Sequence, residues 1–393
     1  MKKTFRAWIA AVLAAVCLIT PLYASGGDEP EERMPVSAAV SETPPGISAE
    51  SAVLTDGTGR VLYARNADER LPMASTTKIM TALTALRLTA DPDAPVKIPA
   101  AAVGVEGSSV YLYQDEVLSM RELLYAMLME SANDAAAAIA IACSGSVEAF
   151  AAEMNSDAVT LGLTDTHFMN PHGLDDEAHY TTARELALIT AEALRNAEFR
   201  KIVSTYRKEI PLRGGEGVRL LVNHNRLLKS YEGCIGVKTG FTKRCGRCLV
   251  SAAERDGCTL ICVTLNAPDD WNDHAALLDW GFSRYGSVTL AQVGERFASV
   301  PVTGAENGAA AIPAESTATL QATLLKDGQN LRKVVELPRF LYAPVARGDV
   351  IGRVIYYNNE EKIGELPLYA GADVKQYVKP TLWQRIRSIF GFG

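Results

Sequence analysis

The sequence predicts an α+β domain, followed by a small all-β module and a short C-terminal amphipathic helix. Strand-like runs stand at both ends of residues 47–286, and alanine-rich stretches with helical periodicity lie between them. In residues 287–375, short β-branched runs are separated by turn sequences. Residues 376–393 place apolar side chains at helical spacing.

The N-terminal segment predicts export. Residues 1–24 begin with a basic stretch, continue with an apolar run and end in small residues near Ala24, which is the form of a secretory signal peptide. An uncleaved membrane anchor is the alternative. Residues 25–46 are acidic and rich in Pro and Gly, so they bury too little apolar surface to order themselves and are predicted to be a linker.

Composition and charge limit the function classes. The chain has 393 residues, of which 48% are hydrophobic, so the part after the linker is long enough for two domains. The net charge is −7, and the sequence has no basic stripe interleaved with aromatic residues. Both observations argue against nucleic acid as a partner.

The predicted α+β domain opens and closes with strands. SAVLTD and VLYARN flank Gly57-Thr58-Gly59, a hairpin turn sequence. The closing runs are GCIGVKTG, GRCLVSAA and TLICVTL, and the last two would form a hairpin around Asp256-Gly257. An N-cap is predicted at Thr181 or Thr182 for the last of three helices between these strands. Those helices are predicted over residues 118–129, 132–142 and 182–195.

Six cysteines would remain after removal of the signal peptide: Cys143, Cys234, Cys245, Cys248, Cys258 and Cys262. Cys245-x-x-Cys248 followed by Cys258 could indicate a zinc site. The predicted hairpin argues against it, because Cys248 would lie far from the turn beside which Cys258 lies. Buried free thiols are the favoured interpretation, and the sequence leaves disulfide pairing open. We expect no metal and no cofactor.

The C-terminal module, residues 287–375, contains no histidine and no cysteine, so we expect a spacer or a binding module. In the final helix, residues 376–393, apolar side chains share one side and arginines lie beside them. This pattern is typical of a helix that lies in a membrane interface, and a helix docked on its own domain is the alternative. The apolar residues are Leu382, Trp383, Ile386, Ile389 and Phe390.

The run PMASTTKIMTALTAL, Pro72 to Leu86, places a serine and a lysine in a helix-like pattern. On a helix, Ser75 would project from the apolar face and Lys78 would lie at its border, with the threonines on the opposite face. A lysine near low dielectric has a lowered pKa, and residues i and i+3 are neighbours. The pattern therefore predicts a nucleophile beside its base. The alternative is an ordinary amphipathic helix whose lysine extends to water.

Three further segments carry candidate functional residues. MESANDAAAAIA places Ser131 and Asn133 between two helices, where both side chains can project into a cleft. GVKTGFT places Lys238, Thr239 and Gly240 in a strand, and the glycine allows a substrate backbone to approach closely. FMNPHGLDD is a loop around His172, for which a structural role is expected.

Ser75-x-x-Lys78, Ser131-x-Asn133 and Lys238-Thr239-Gly240, in that order, match the triple signature of penicillin-binding proteins and serine β-lactamases. The flanking text, which includes NPHGL and GVKTGFTKRCGRCLVSAAERDG, resembles the low-molecular-mass D-alanyl-D-alanine carboxypeptidases. The resemblance runs from about residue 45 to the C-terminus. It implies a penicillin-binding-protein/β-lactamase-like transpeptidase domain over residues 47–286. The β-lactamases fit less well, because their middle motif usually has Asp where this chain has Ala132.

The resemblance implies removal of the terminal D-Ala from peptidoglycan stem peptides through an acyl-enzyme on Ser75. Lys78 would be the general base, and Ser131 would relay a proton between Lys78 and the leaving amine. Asn133 would bind the substrate backbone. Lys238 would orient Ser131 and lower the pKa of Lys78 by its charge.

The remaining implied contacts concern substrate and oxyanion. Thr239 would contact the terminal carboxylate, with Gly240 beside it, and the backbone N–H groups of Ser75 and Phe241 would stabilise the oxyanion. Phe241 stands where many relatives have histidine, so its side-chain role is open. His224 or Arg226, in the segment NHNR, would help to hold the carboxylate, and the sequence does not choose between them.

The resemblance also implies β-lactam antibiotics as covalent inhibitors and attachment to the outer face of the cytoplasmic membrane through the C-terminal helix. Two other functions stay open. The same serine could cut cross-linked peptides as a DD-endopeptidase, or the protein could be a weakly catalytic wall-binding protein. The sequence contains no Gly-x-Ser-x-Gly and no His-Glu-x-x-His, so other serine hydrolases and zinc peptidases are not favoured.

Overall fold

The computed structural model describes residues 32–33, 43–212, 217–326 and 330–385. The predicted signal peptide and most of the predicted linker therefore lie outside the described residues. The described chain forms two compact units. The larger contains residues 43–288 with 323–326, and the smaller contains residues 32–33, 289–322 and 330–385.

The strands, in chain order, are β1 Glu32–Arg33, β2 Ser51–Asp56, β3 Val61–Arg65, β4 Pro95–Lys97, β5 Val117–Ser119, β6 Arg207–Leu212, β7 Gly217–Val222, β8 Cys234–Thr242, β9 Gly246–Arg255, β10 Cys258–Leu265, β11 Tyr285–Ala291, β12 Arg296–Ala305, β13 Gly308–Glu315, β14 Leu320–Leu325, β15 Leu331–Glu336, β16 Leu341–Tyr342, β17 Val350–Asn358 and β18 Glu361–Ala370. The helices are α1 Lys78–Leu88, α2 Met120–Met129, α3 Asn133–Ser144, α4 Val147–Thr160, α5 Ala183–Arg195, α6 Ala197–Ser204, α7 Leu227–Ser230 and α8 Asp270–Arg284, with 3₁₀ turns at Ala74–Thr77 and Ala100–Ala102.

The larger unit is built on an antiparallel five-stranded sheet with the order β3-β2-β10-β9-β8. Its two predicted hairpins are present: β2 pairs with β3 around Gly57–Gly59, and β9 pairs with β10 so that Arg255 faces Cys258 across the Asp256-Gly257 turn. The sheet order brings β8 to one edge, next to the turn that precedes α1. Strands from both ends of the domain thus form one sheet, which confirms the α+β prediction.

The helical block lies where the periodicity placed it. Helix α2 begins at a capping box, in which Ser119 accepts from the Glu122 N–H and the Glu122 carboxylate accepts from the Ser119 N–H. Helix α5 begins after Thr182, whose side chain caps it as predicted. The alanine-rich helix α3 is buried along its first eight residues, because small side chains let neighbouring helices approach closely.

Helix α1 differs from its prediction in two ways. Ser75 does not lie on the helix; it lies in the 3₁₀ turn Ala74–Thr77 directly before it. The threonines do not form an exposed face, since Thr77, Thr81 and Thr84 are all fully buried. Their hydroxyls donate to Ala74 O, Pro171 O and Asp157 Oδ2 respectively, which allows a polar residue to face the core. The helix is therefore surrounded by protein, and the amphipathic interpretation was wrong.

The smaller unit is the predicted β module. Its seven-stranded sheet has the order β1-β15-β17-β18-β13-β12-β16, with β12 and β16 parallel and the other neighbouring strands antiparallel. Strand β11 pairs with β14 in a separate two-stranded sheet. In the larger unit, two further two-stranded sheets pair β4 with β5 and β6 with β7.

The predicted C-terminal helix is described only at its start. Residues 382–385 are helical, and Thr381 caps them: its hydroxyl accepts from the Gln384 N–H, and the Gln384 side-chain oxygen accepts from the Thr381 N–H. Leu382 and Trp383 are exposed there. The positions of Ile386, Ile389 and Phe390 lie outside the described residues.

The length and hydropathy of each described helix can be compared with those of a membrane span. No single helix is long and apolar enough to cross a membrane, whereas α3 and α4 together pass the same test of length and composition with a bend of 81° between them.

Candidate active site

The turn before α1 presents Ser75. Its neighbour Ala74 has a left-handed backbone conformation, with φ of 47°, which is rare for a residue with a Cβ atom. Ala74 is the first residue of the 3₁₀ turn, so this conformation lies where the turn begins. Ser75 is partly exposed and lines a cavity of about 560 Å³. A hydroxyl held at the edge of a cavity is accessible to a bound molecule.

Lys78 lies directly beneath this serine and is fully buried. Its Nζ is 3.0 Å from Ser75 Oγ, 2.7 Å from Asn133 Oδ1 and 2.6 Å from the His172 carbonyl oxygen. Burial lowers the pKa of Lys78 well below its usual range; the nearby charge of Lys238 lowers it further, and Asp134 opposes both effects. An uncharged amine in this position can accept the proton of the Ser75 hydroxyl.

The loop around His172 supplies one of these contacts through its backbone. Gly173 packs against the turn before α1, where an added Cβ would lie 1.9 Å from Ala74 O, and its φ is 87°. Burial lowers the pKa of the His172 side chain to about 3, with a smaller effect of Lys78, so the imidazole is neutral. Its Nδ1 accepts from the Leu174 N–H at 3.3 Å. The structural role predicted for His172 thus includes a carbonyl that holds the lysine amine.

Ser131 lies between α2 and α3 in a left-handed conformation, with φ of 60°. Its hydroxyl oxygen is 3.1 Å from Lys238 Nζ, and the same amine donates to Thr239 O at 2.8 Å. Lys238 is 1% exposed, and burial lowers its pKa to about 7. Burial therefore disfavours the charged form of both lysines of the site.

Asn133, the first residue of α3, is buried and has both ends of its side-chain amide engaged within the chain. Its Oδ1 accepts from Lys78, and its Nδ2 donates to Glu106 O at 2.5 Å. These contacts position the Lys78 amine and the segment that contains Glu106. The predicted contact between Asn133 and the substrate backbone stays a prediction.

Strand β8 forms one wall of the cavity, which Thr239, Gly240 and Phe241 line together with Ser75 and Ser131. Gly240 lies close to the serine turn: an added Cβ would be 3.1 Å from Met73 O and 3.2 Å from Ser75 N. A side chain here would need the serine turn to shift by a few tenths of an ångström, so glycine favours the close approach. It places β8 beside the backbone amide of Ser75.

The structure places both carboxylate candidates, His224 and Arg226, at the same cavity. His224 Nε2 is 3.1 Å from Glu130 Oε2, and the guanidinium carbon of Arg226 is 5.9 Å from the centre of the Trp271 ring. Neither contact excludes a bound anion. The geometry therefore leaves the choice between the two residues open.

Five residues that the sequence analysis did not identify as candidates also line the cavity: Ser108, Asn223, Arg247, Asp270 and Trp271. Arg247 Nε donates to Asp270 Oδ1 at 2.9 Å, and Nη2 forms an ion pair with the same oxygen at 2.9 Å. The guanidinium carbon of Arg247 is 5.8 Å from the Trp271 ring centre. Arg247 adds a second arginine to the wall of the cavity. The hairpin register could have revealed it, because Arg247 is paired with Phe241 across β8 and β9.

The six described cysteines are free thiols. Cys245, Cys248, Cys258 and Cys262 are buried, while Cys143 and Cys234 are partly exposed. Within the described part of the chain, no group of three or more His, Cys, Asp or Glu side chains is arranged to hold a metal ion.

Two family models match the chain. One, described as D-alanyl-D-alanine carboxypeptidase, matches residues 38–269, and the other, described as the C-terminal domain of penicillin-binding protein 5, matches residues 285–376. Among curated proteins, the chain is 33% identical over 341 residues to D-alanyl-D-alanine carboxypeptidase DacF of Bacillus subtilis, with 84% of this chain and 86% of the relative covered.

Solved structures give the same picture. Penicillin-binding protein 5 from Haemophilus influenzae is 30% identical with a TM-score of 0.69, and the match covers 86% of this chain and all (100%) of that one. The Streptomyces K15 DD-transpeptidase is 34% identical with a TM-score of 0.59, and the match covers 62% of this chain and 100% of that one.

Gly173→Ala tests whether the His172 loop is packed as tightly on the serine turn as the geometry requires. We expect a loss of unfolding free energy of about 3 kcal/mol or more, because the new methyl group collides with Ala74 O in addition to the left-handed strain. Gly162→Ala is the matched control: it has a similar positive φ but nothing within 4 Å, so about 1–2 kcal/mol is expected. Urea unfolding of both variants measures the difference. Equal losses would contradict the packing argument.

Proposed function

This chain belongs to the D-alanyl-D-alanine carboxypeptidase family, and we propose that it removes the terminal D-Ala of peptidoglycan stem pentapeptides through an acyl-enzyme on Ser75. The predicted family resemblance and fold class are confirmed by the two family models and the solved relatives. The chain is a serine-type hydrolase of the cell wall. One observation carries the proposed mechanism: the buried Lys78 amine lies 3.0 Å from Ser75 Oγ.

In the acylation step, Ser75 Oγ attacks the carbonyl carbon of the penultimate D-Ala, and its proton passes to the neutral Lys78 amine. General-base assistance of this kind contributes about 10²–10⁴-fold to rate. The carbonyl oxygen becomes an oxyanion, which we assign to the N–H groups of Ser75 and Phe241. The close approach of Gly240 to the Ser75 amide supports this assignment.

Collapse of the tetrahedral intermediate breaks the C–N bond to the terminal D-Ala, whose amine must gain a proton as it leaves. We assign the relay of that proton from Lys78 to Ser131, whose hydroxyl lines the same cavity as Ser75 and is 3.1 Å from Lys238 Nζ. Water then attacks the Ser75 ester, Lys78 accepts the proton of that water, and the hydroxyl of Ser75 is restored. The net reaction is hydrolysis of one peptide bond.

Substrate recognition is assigned to the cavity walls. Thr239 contacts the terminal carboxylate, and the positive charges of Arg226 and Arg247, with His224 beside them, make this end of the cavity favourable for an anion. β-Lactams place a strained amide and a carboxylate in the same positions, so they acylate Ser75 and block the enzyme.

The same acyl-enzyme could transfer its acyl group to an amine or be formed from a cross-linked peptide. One solved relative with 34% identity is described as a DD-transpeptidase, which gives transfer a specific reason to be tested. Product analysis separates carboxypeptidase, endopeptidase and transpeptidase activities, because each releases or forms a different peptide.

Ser75→Ala tests the nucleophile. We expect complete loss of labelling by a fluorescent penicillin and loss of D-Ala release from a synthetic pentapeptide that ends in D-Ala-D-Ala, because no other described hydroxyl of the cavity lies against the Lys78 amine. Ser108→Ala, a cavity residue outside the proposed mechanism, is the control and should keep its label. Mass analysis of the peptide products identifies the reaction. A labelled Ser75→Ala protein would refute the assignment.

Lys238→Gln tests the charge that acts on Lys78. The positive charge of Lys238 lowers the pKa of Lys78, so its removal should raise the pKa of Lys78. The acylation rate, plotted against pH, rises as Lys78 loses its proton, and this rise, the acid limb of the profile, should move to higher pH. The acylation rate constant for a fluorescent penicillin, measured across pH, gives the position of the limb separately from the overall loss of rate. Lys238→Arg keeps the charge and should keep the limb in place. An unmoved limb in Lys238→Gln would contradict the electrostatic argument.

We also propose that the protein is exported and held at the outer face of the cytoplasmic membrane by its C-terminal helix. The support is the signal-like sequence of residues 1–24, the apolar and arginine-flanked pattern of residues 376–393, and the exposure of Leu382 (76%) and Trp383 (74%) at the start of that helix. Two large apolar side chains this exposed favour burial in a lipid interface.

Vesicle binding tests the anchor. A protein that begins at residue 25 should sediment with vesicles of phosphatidylglycerol and phosphatidylcholine, and truncation after Lys375 should leave it in the supernatant. Trp383→Glu should weaken binding by about tenfold or more, since it replaces an inserted ring with a charge. Val159→Glu, which changes an equally exposed apolar residue (76%) on α4, is the matched control and should bind normally. Sedimentation of the truncated protein would exclude this helix as the anchor.

A further inference from the structure

The turn that joins β8 to β9 contains a pair of buried cysteines that the proposed reaction does not use. Cys245 lies in the turn and Cys248 lies on β9, and they are 3% and 0% exposed. Gly246, between them, has a φ of 65°, which bends the chain so that residues three apart can meet. Cys248 Sγ is 4.0 Å from Cys245 O, and both residues belong to the same buried core cluster.

The surroundings make the two thiols unequal. The hydrogen bond from Cys248 lowers the pKa of Cys245, and Thr242, whose hydroxyl is 3.1 Å from the Cys245 sulfur, lowers it further against the opposing effects of burial and of the Asp175 charge. The pKa of Cys248 is raised by the same pairing and by burial. Cys245 is thus ionised more readily than Cys248, which makes it the attacking sulfur of the pair.

Three of the other cysteines have different partners. Cys143, Cys234 and Cys258 make their contacts with the oxygen atoms of Thr89, Gly236 and Thr323. The described contacts of these three cysteines include no second thiol.

We propose that Cys245 and Cys248 are a site of reversible disulfide formation, and that the disulfide slows acylation of Ser75. The oxidant is a disulfide, either a small-molecule one or that of a thiol–disulfide oxidoreductase. The Cys245 thiolate attacks one sulfur of this oxidant and forms a mixed disulfide with it. The S–S bond of the oxidant breaks, and its other sulfur leaves as a thiolate. The Cys248 sulfur then loses its proton and attacks the Cys245 sulfur, which releases the second thiol. Two protein thiols are oxidised, and one external disulfide is reduced to two thiols.

The effect on Ser75 follows from the hairpin register. Cys248 is paired with Gly240 across β8 and β9, and its Sγ is 3.9 Å from Pro72 O, three residues before Ser75. Gly240 has almost no free space, since an added Cβ would be within 3.2 Å of Ser75 N. A bond that draws Cys248 toward Cys245 displaces β9 where it is paired with Gly240. The displacement reaches the amides around the Ser75 hydroxyl, where errors of an ångström are costly.

The chain offers a direct test for the bond. The protein from residue 25 onward is incubated with excess oxidised glutathione, alkylated and digested with trypsin without reduction. Trypsin cleaves after Arg244, Arg247 and Arg255, so the disulfide appears as residues 245–247 joined to residues 248–255. We expect this linked peptide in most molecules, a loss of two hydrogens in the intact mass, and reversal by dithiothreitol. Absence of the linked peptide, or glutathione that stays on Cys245, would overturn the proposal.

The consequence is measured on the same samples with a fluorescent penicillin. We expect oxidation to slow acylation by about tenfold or more and dithiothreitol to restore it. Cys245→Ser, a nearly isosteric change, should acylate as fast as the reduced protein in both conditions, whereas Cys143→Ala should respond like the wild type. A linked peptide with unchanged acylation would also overturn the proposal. The effect on acylation rests on the proposed function. If the proposed function itself is wrong, the reduced protein will take up no penicillin although the linked peptide still forms.

Discussion

The Lys78 amine has no access to water and is held by oxygen atoms from three separate segments. Ser75 Oγ comes from the turn before α1, Asn133 Oδ1 from the start of α3, and the His172 carbonyl from the loop between α4 and α5. Burial makes the protonated amine costly, and the charge of Lys238 adds to that cost. The amine reaches this position only when all three segments are packed. The spacing of Ser75 and Lys78 is therefore necessary for the site, but the base depends on tertiary structure.

The packing also maintains two strained residues. Ala74 and Ser131 have positive φ values of 47° and 60°, and each such conformation costs about 1–2 kcal/mol for a residue with a Cβ atom. Ala74 directly precedes Ser75, and Ser131 carries the second hydroxyl that lines the cavity. Gly173 covers Ala74 O so closely that any side chain would collide with it. The surrounding core thus offsets local strain in order to fix the two hydroxyl groups.

The sequence predicted those features that depend on local chain properties. The hairpins at Gly57–Gly59 and Asp256-Gly257 and the cap at Thr182 follow from turn and cap chemistry within a few residues. The face of α1 was predicted wrongly, because distant segments supply partners for its buried threonines, as Pro171 O does for Thr81. The His172 carbonyl and Arg247 became visible only through loop packing and strand register. The whole predicted signal peptide and the end of the predicted anchor lie outside the described residues.

The β8–β9 hairpin joins several requirements of the site in one element. Because successive residues of a strand point to opposite faces, Lys238 can be buried against Ser131 while Thr239 lines the cavity. On β9, Arg247 reaches the same cavity from a position paired with Phe241. The cysteine pair lies on this hairpin, one register position away from Arg247, so a covalent change there has a short path to Ser75. Cys143, at the C-terminal end of α3 beside Thr89, has no such connection to either strand of the hairpin through its described contacts. The location of a thiol relative to β8, more than its mere presence, determines whether its oxidation can affect the reaction.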